Sequence, residues 1–226
     1  MILSTSHNFI FVHVPKTAGT AMTAALEPYG ISGTRTKWRR LLRRVPIQEE
    51  ATKAYFRKHE TALDMQRKMG SVAYSGFFKF TVVRNPFDHA VSHYEYLKEF
   101  RNPKLAAQFA AMSFADYLRW RETRRGLFVP FFTILPDQAH FIADAAGTSL
   151  LVDRVLKFET LADDFGRLCK ELGLPDIAME RINPTRAKKA GRALDSYYDE
   201  DTFAAVQRIY ARDFPLLGYS PVLPKS

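Results

Sequence analysis

The stretch Phe9-Ile-Phe-Val-His-Val-Pro-Lys-Thr-Ala-Gly-Thr20 constrains this chain more than any other. Phe9 to Val14 is a short, nearly continuous apolar run rich in aromatic and β-branched side chains. That composition suits a strand buried on both faces of a parallel sheet. Pro15 has no N–H for a sheet ladder, so the strand stops before it. Lys16-Thr-Ala-Gly-Thr20 follows, and Ala21 to Glu27 reads as a helix with Met22 and Leu26 on one face. The unit is strand, tight basic loop, helix.

Such a loop can hold an anion. The first N–H groups of a helix lack internal partners and carry partial positive charge. Gly19 allows close backbone approach, Lys16 adds a full charge, and the hydroxyls of Thr17 and Thr20 are further donors. A phosphate is the natural occupant. The other reading is an ordinary strand-to-helix turn with an exposed lysine, because short Gly/Lys/Thr motifs also arise by chance. The order G-x-x-x-x-G-K-[ST] of a standard ATPase loop is absent, since here the lysine precedes the glycine.

Composition narrows the partners. The 226 residues carry a formal net charge of +9, which favours anionic ligands or surfaces. The length fits one α/β domain, with or without insertions, and 46% hydrophobic content supports a large core. Cys169 is the only cysteine, so no intramolecular disulfide can form. It lies in an apolar helical pattern and reads as core. The N-terminus shows no basic region followed by a long apolar one. No apolar run approaches the ~20 residues of a membrane span. A soluble, cytoplasmic protein is the expectation.

Residues 28–58 read as a basic insertion. Arg35, Lys37, Arg39, Arg40, Arg43 and Arg44 alternate with Trp38, Leu41, Leu42 and Val45 at helical spacing, and Pro46 ends the pattern. The expected helix is amphipathic with a cationic outer face. That face is either merely solvated, or a platform for an acidic acceptor, or a membrane-surface helix. His59 to Met69 reads as another helix, capped by Gly70. His59 then stands near its positive end, which favours a neutral imidazole able to act as a base. A histidine without any such role is the plainer reading.

Phe77 to Val83 is a second buried strand, and Arg84-Asn-Pro-Phe-Asp-His-Ala-Val-Ser-His-Tyr94 follows it. Asn85 is a good N-cap and Pro86 suits the first helical position. Arg84 thus falls at the carboxyl end of a strand, the edge where open parallel sheets bind ligands. It offers a bidentate fork to a second phosphate or pairs with a nearby carboxylate. Ser92 lies about two turns into the following helix.

At these residues the chain resembles a family. Val14-Pro-Lys-Thr-Ala-Gly-Thr20 is similar to the 5′-phosphosulfate loop of sulfotransferases that use 3′-phosphoadenylyl sulfate (PAPS). Phe80 to Tyr94 is similar to their 3′-phosphate motif, closest to the carbohydrate sulfotransferases and their bacterial relatives. The blocks Val152 to Phe165, Tyr197 to Glu200, Asp213-Phe214 and Gly218-Tyr219 extend the resemblance towards the C-terminus. It departs at His89, where an arginine is usual; Arg84 and Ser92 are unaffected.

The resemblance implies a single α/β domain over 1–226, with a P-loop-type parallel sheet flanked by helices. It implies transfer of a sulfuryl group from PAPS to a hydroxyl of an acceptor, with carbohydrate, including acidic glycans, as the favoured class. Lys16 would neutralise charge on the oxygen between sulfur and the 5′-phosphate. Thr17, Ala18, Gly19, Thr20 and Ala21 would cradle that phosphate, and Arg84 and Ser92 would hold the 3′-phosphate. Arg186, in the basic stretch 183–195, would close over the nucleotide. His59 matches the histidine ahead of the second strand and would be the base. No metal is expected, because Lys16 supplies the charge a metal would bring.

The remaining chain reads as Ser113 to Asp116 opening a helix and a Pro-bounded apolar segment at 128–136. Gln138 is either near the acceptor or an ordinary helix start. One or two short strands at Leu150 to Phe158, a helix from Thr160 to Leu172 and a last helix from Ser196 to about Asp213 complete it. Two rivals remain. A small-molecule kinase would use Leu150-Leu-Val-Asp153 as an apolar strand ending in a metal-holding aspartate. A nucleic-acid-binding module would use the basic helix, without any zinc-finger or RNA-binding aromatic motif.

Overall fold

The computed structural model describes residues 1–31, 56–123, 131–175, 177 and 192–224. Its strands are β1 (Ile2–Ser4), β2 (Phe9–Val12), β3 (Phe78–Val83) and β4 (Arg154–Lys157). The described helices, in order, are α1 (Gly19–Leu26), α2 (Ala62–Met69), α3 (Ser71–Ser75), α4 (Pro86–Lys98), α5 (Pro103–Ala110) and α6 (Phe114–Thr123). They continue as α7 (Ala139–Ile142), α8 (Leu161–Glu171), α9 (Glu200–Ile209) and α10 (Asp213–Leu217).

The four strands form one sheet in the order β1-β2-β3-β4. β2, β3 and β4 run parallel, while β1 lies antiparallel against β2 at the edge. This is the expected α/β fold, a mostly parallel sheet flanked by helices. The antiparallel edge is the addition. Reversal between Ser4 and Phe9 takes only a short turn, with Asn8 at φ 52, a left-handed conformation that asparagine tolerates. A parallel neighbour would need a long crossover.

The chain divides into two compact units, Met1–Val83 with Gln138–Ile182, and Arg84–Asp137 with Asn183–Ser226. The first holds the sheet. Alternation along the strands puts Phe9, Phe11, Phe80, Val82 and Leu156 in one cluster with Met22 and Leu26 of α1 and Leu161, Phe165, Leu168 and Cys169 of α8. Ile10, Val12 and Val83 are fully buried as well, so β2 and β3 are covered on both sides, as the unbroken apolar runs require. Cys169 is core, as read from the sequence.

The second unit has its own core, dominated by aromatic residues. Phe87, Tyr94 and Leu97 of α4 pack with Phe109 of α5, Phe114 and Tyr117 of α6, and Val206 and Tyr210. Helix starts follow their capping residues. The side chain of Asn85 accepts from the Phe87 N–H, and Ser113 and Asp116 cap each other's N–H groups at α6. The long last helix read from Ser196 begins instead at Glu200, where Asp199 and Thr202 form a capping box, and ends at Ile209. The cap decides the start, and α10 resumes at Asp213. Likewise β2 stops two residues before the expected Val14, and only 154–157 of the expected strand region at 150–158 is a strand.

Candidate active site

The loop leaving β2 carries an unusual backbone. Lys16 and Ala18 both adopt positive φ, 67° and 64°. Non-glycine residues reach that region at a cost of about 1–2 kcal/mol each. Strain of this kind collects at functional sites, and alternating left-handed residues turn successive N–H groups into one concavity. Ala18 is the N-cap of α1 and provides no side-chain cap, nor is there an acid in the first turn. The first N–H groups of α1 are therefore not met by a capping side chain. Thr20 is exposed and Lys16, Ala18 and Ala21 are half-buried.

Two details of the loop differ from expectation. The Thr17 hydroxyl donates to the Val14 carbonyl at 2.9 Å and the residue is fully buried. That hydroxyl therefore braces the loop rather than facing a ligand, which leaves Thr17 its backbone N–H. Gly19 does not need positive φ. A Cβ built on it would lie 1.8 Å from His13 Nε2 and 1.9 Å from Cδ2. Glycine is required there because an imidazole edge occupies the space.

His59 sits in the turn before α2, not at the head of the helix. Thr61 is the N-cap, and its side chain accepts from the Asp64 N–H. The neutral state expected of His59 therefore has a different cause. Burial, with Lys58 beside it, lowers its pKa to about 4, against an opposing hydrogen bond to the His13 backbone. His59 Nδ1 lies 3.4 Å from the His13 carbonyl oxygen. A carbonyl only accepts, so the proton belongs on Nδ1 and Nε2 keeps its lone pair. The two rings meet edge to face with centroids 4.5 Å apart.

The neighbouring Glu60 has no exposed surface. Its carboxylate accepts from the Arg57 N–H at 2.7 Å and from Lys68 Nζ on α2 at 2.6 Å. This buried pair clamps the turn carrying His59 onto α2. Sequence reasoning missed it, although Glu60 is adjacent to His59 and Lys68 lies eight positions on.

In the second unit, Arg84 directly follows the last residue of β3. It is 3% exposed, and Nε and Nη2 both reach Asp88 Oδ2 at 2.7 Å. Pairing with a carboxylate, one of the two readings open from sequence, is what this structure contains. Ser92 lies on α4 with 7% exposure. His93 Nε2 lies 2.7 Å from the Phe132 carbonyl and Nδ1 2.8 Å from the Tyr117 hydroxyl. His89 Nδ1 contacts the Tyr210 hydroxyl at 2.8 Å. Arg121 joins the two pairs, donating to Tyr210 at 2.7 Å and to Tyr117 at 3.4 Å. His89 and His93 thus belong to a polar network within this unit. Arg121 has no signature in the sequence that would have singled it out.

The kinase reading fails on topology. Leu150 makes only an isolated bridge to Ala143. Asp153 precedes the amino end of β4 and is held there by the Lys79 N–H at 2.7 Å and Lys79 Nζ at 2.8 Å. The phosphate-type loop leaves the opposite, carboxyl end of the parallel strands. No group of metal-ligating side chains occurs among the described residues. No helix among them is long and apolar enough to cross a membrane. Gln138 is buried just before α7. In the 128–136 segment, Phe131–Thr133 form one turn of 3-10 helix. Arg186 and the basic stretch 35–44, expected to be helical, lie outside the described residues.

A mostly parallel α/β sheet whose central strand feeds a basic, strained loop into a helix defines a phosphate-handling class. The model of the Sulfotransferase family matches residues 1–220, and the chain belongs to that family. No curated protein and no solved structure matches it. The chain is accordingly a transferase that moves a sulfuryl group to an acceptor.

Proposed function

We propose that the donor is PAPS and that the acceptor is a hydroxyl, with carbohydrate as the favoured class. The observation that carries the donor reading is the paired left-handed backbone at Lys16 and Ala18 ahead of α1. A backbone held in that shape suits an anion of several oxygens bound by successive N–H groups. Lys16 neutralises the charge that builds on the oxygen linking sulfur to the 5′-phosphate as that bond breaks. Thr17, Ala18, Gly19, Thr20 and Ala21 hold the 5′-phosphate through backbone groups, with the exposed Thr20 hydroxyl as a further donor.

His59 Nε2 takes the proton of the acceptor hydroxyl while its oxygen bonds to sulfur. Nδ1–H, directed to the His13 carbonyl, sets the tautomer that leaves Nε2 basic. Arg84 and Ser92 hold the 3′-phosphate, which competes with Asp88 for the guanidinium. The chemistry needs positioning and charge neutralisation more than covalent work.

Calorimetry with 3′-phosphoadenosine 5′-phosphate (PAP) and with ADP, which lacks the 3′-phosphate, tests the donor. PAP should bind more tightly by about 2–5 kcal/mol, the cost of losing a charged, bidentate contact to the 3′-phosphate. Arg84→Ala should remove most of the difference. Equal affinities would discard the roles of Arg84 and Ser92. Transfer of radiolabelled sulfate from PAPS across glycans, lipids and small alcohols identifies the acceptor.

A further inference from the structure

We propose that His13 is a positioning residue, the ring that locks the Lys16 loop and His59 into one arrangement. The inference rests on His59 as the base. On one side the Nε2–Cδ2 edge of His13 fills the space that any Cβ at Gly19 would need, with approaches of 1.8 and 1.9 Å. Gly19 is the first residue of α1, so the ring sets how that helix start sits against the end of β2. On the other side the ring packs edge to face on His59 at 4.5 Å. The carbonyl of His13 receives His59 Nδ1 as well. One residue therefore touches the backbone of the anion loop with its side chain and holds the base with both side chain and main chain.

The polar atoms of His13 point to a role beyond filling space. Its Nδ1 is buried without a hydrogen-bond partner among the described residues. An orphaned buried polar atom is destabilising, so an apolar side chain would serve a merely structural purpose better. A buried acceptor lone pair is tolerated more readily than a buried N–H. The proton therefore belongs on Nε2, the atom that meets Gly19. Burial keeps the ring neutral, its pKa lowered to about 2. A neutral ring can stand against His59 and the cationic loop without repulsion. Among the described residues, the charged and titratable groups around His59 are Lys58, the Met1 amine and His13 itself. Glu60 is turned to Lys68 and Arg57.

The test is a double-mutant cycle on full-length protein with Gly19→Ala, His13→Ala and both together. Thermal melts read the packing without any ligand, and PAPS turnover against pH reads the positioning. Gly19→Ala alone should lower Tm by about 5 °C or more. In the His13→Ala background the same change should cost under about 2 °C. His13→Ala should lower kcat about 10- to 100-fold and raise the PAPS KM by a smaller factor, as the loop loosens. The acidic limb of its pH profile should move up by about one unit, because His59 gains solvent. His13→Ser serves for both readouts if the alanine variant does not fold. Equal Tm losses in the two backgrounds would overturn the proposal, and so would an unmoved acidic limb. Failure of the wild-type chain to bind PAP would sink the donor reading, and the Tm cycle would still decide whether His13 imposes the glycine.

Discussion

His59 illustrates how one side chain acquires a task from its surroundings. Its ring is half-buried, beside Lys58 and the His13 ring. Burial first, then the Lys58 charge, disfavours the imidazolium against the opposing hydrogen bond to the His13 carbonyl, and the pKa falls to about 4. A base works only when unprotonated, so the lowered value keeps His59 competent through the whole neutral range. Activity should fall only as the pH drops towards 4, not near the ordinary histidine value of about 6.5. His59→Ala should lower kcat by ~10²–10⁴, leave PAP binding nearly unchanged and abolish that acidic limb. Stopped assays from pH 3.5 to 8 check the rate and the limb, and calorimetry checks PAP binding. Near-normal kcat in the variant would end the assignment.

At the level of elements, the turn from 57 to 60 depends on α2. Lys68 Nζ and Glu60 Oε1 stand 2.6 Å apart, with neither side chain more than 8% exposed. Removing one partner of a buried pair costs up to about 3–5 kcal/mol, and without Lys68 the buried Glu60 keeps only the more exposed Arg57 as its charged partner among the described residues. Lys68→Met should therefore lower Tm sharply and depress kcat, since the His59 turn loses its anchor. Adding Glu60→Gln to Lys68→Met removes the stranded carboxylate and should restore much of the Tm. Chemical denaturation of both variants measures this. A Lys68→Met protein as stable as the parent would show that the clamp carries no weight. The same logic applies to α4, whose His89 and His93 contact tyrosine hydroxyls and whose Asp88 pairs with Arg84.

For the whole molecule, the proposed chemistry draws its positive charge from side chains and helix N–H groups. Sulfate transfer should accordingly proceed unchanged in EDTA. A strict magnesium requirement, assayed by adding the metal back, would count against the roles given to Lys16 and the α1 start.

Much of this is legible in the chain itself. Strand periodicity, Pro15, and the cap at Asn85-Pro86 are local, and local signals identify β2, α1, β3 and α4 with small errors at their ends. The loop after β2 is readable as an anion site because its residue types sit next to one another. The β1 edge is not readable, for three residues carry no usable period. Nor is the true start of α9, where the Asp199 cap outweighs the apolar pattern upstream. Sequence likewise points to His59 and Gly19, but it does not show what surrounds them. His59 is neutral through burial, and Gly19 is glycine because of His13, contacts made between residues remote along the chain. Asp153 is misplaced for the same reason, since only the pairing of β4 with β3 reveals which end of the sheet it occupies. The sequence by itself determined most of the elements and the family. Only the tertiary structure decided what surrounds each side chain, because burial and pairing arise from segments that meet only after folding.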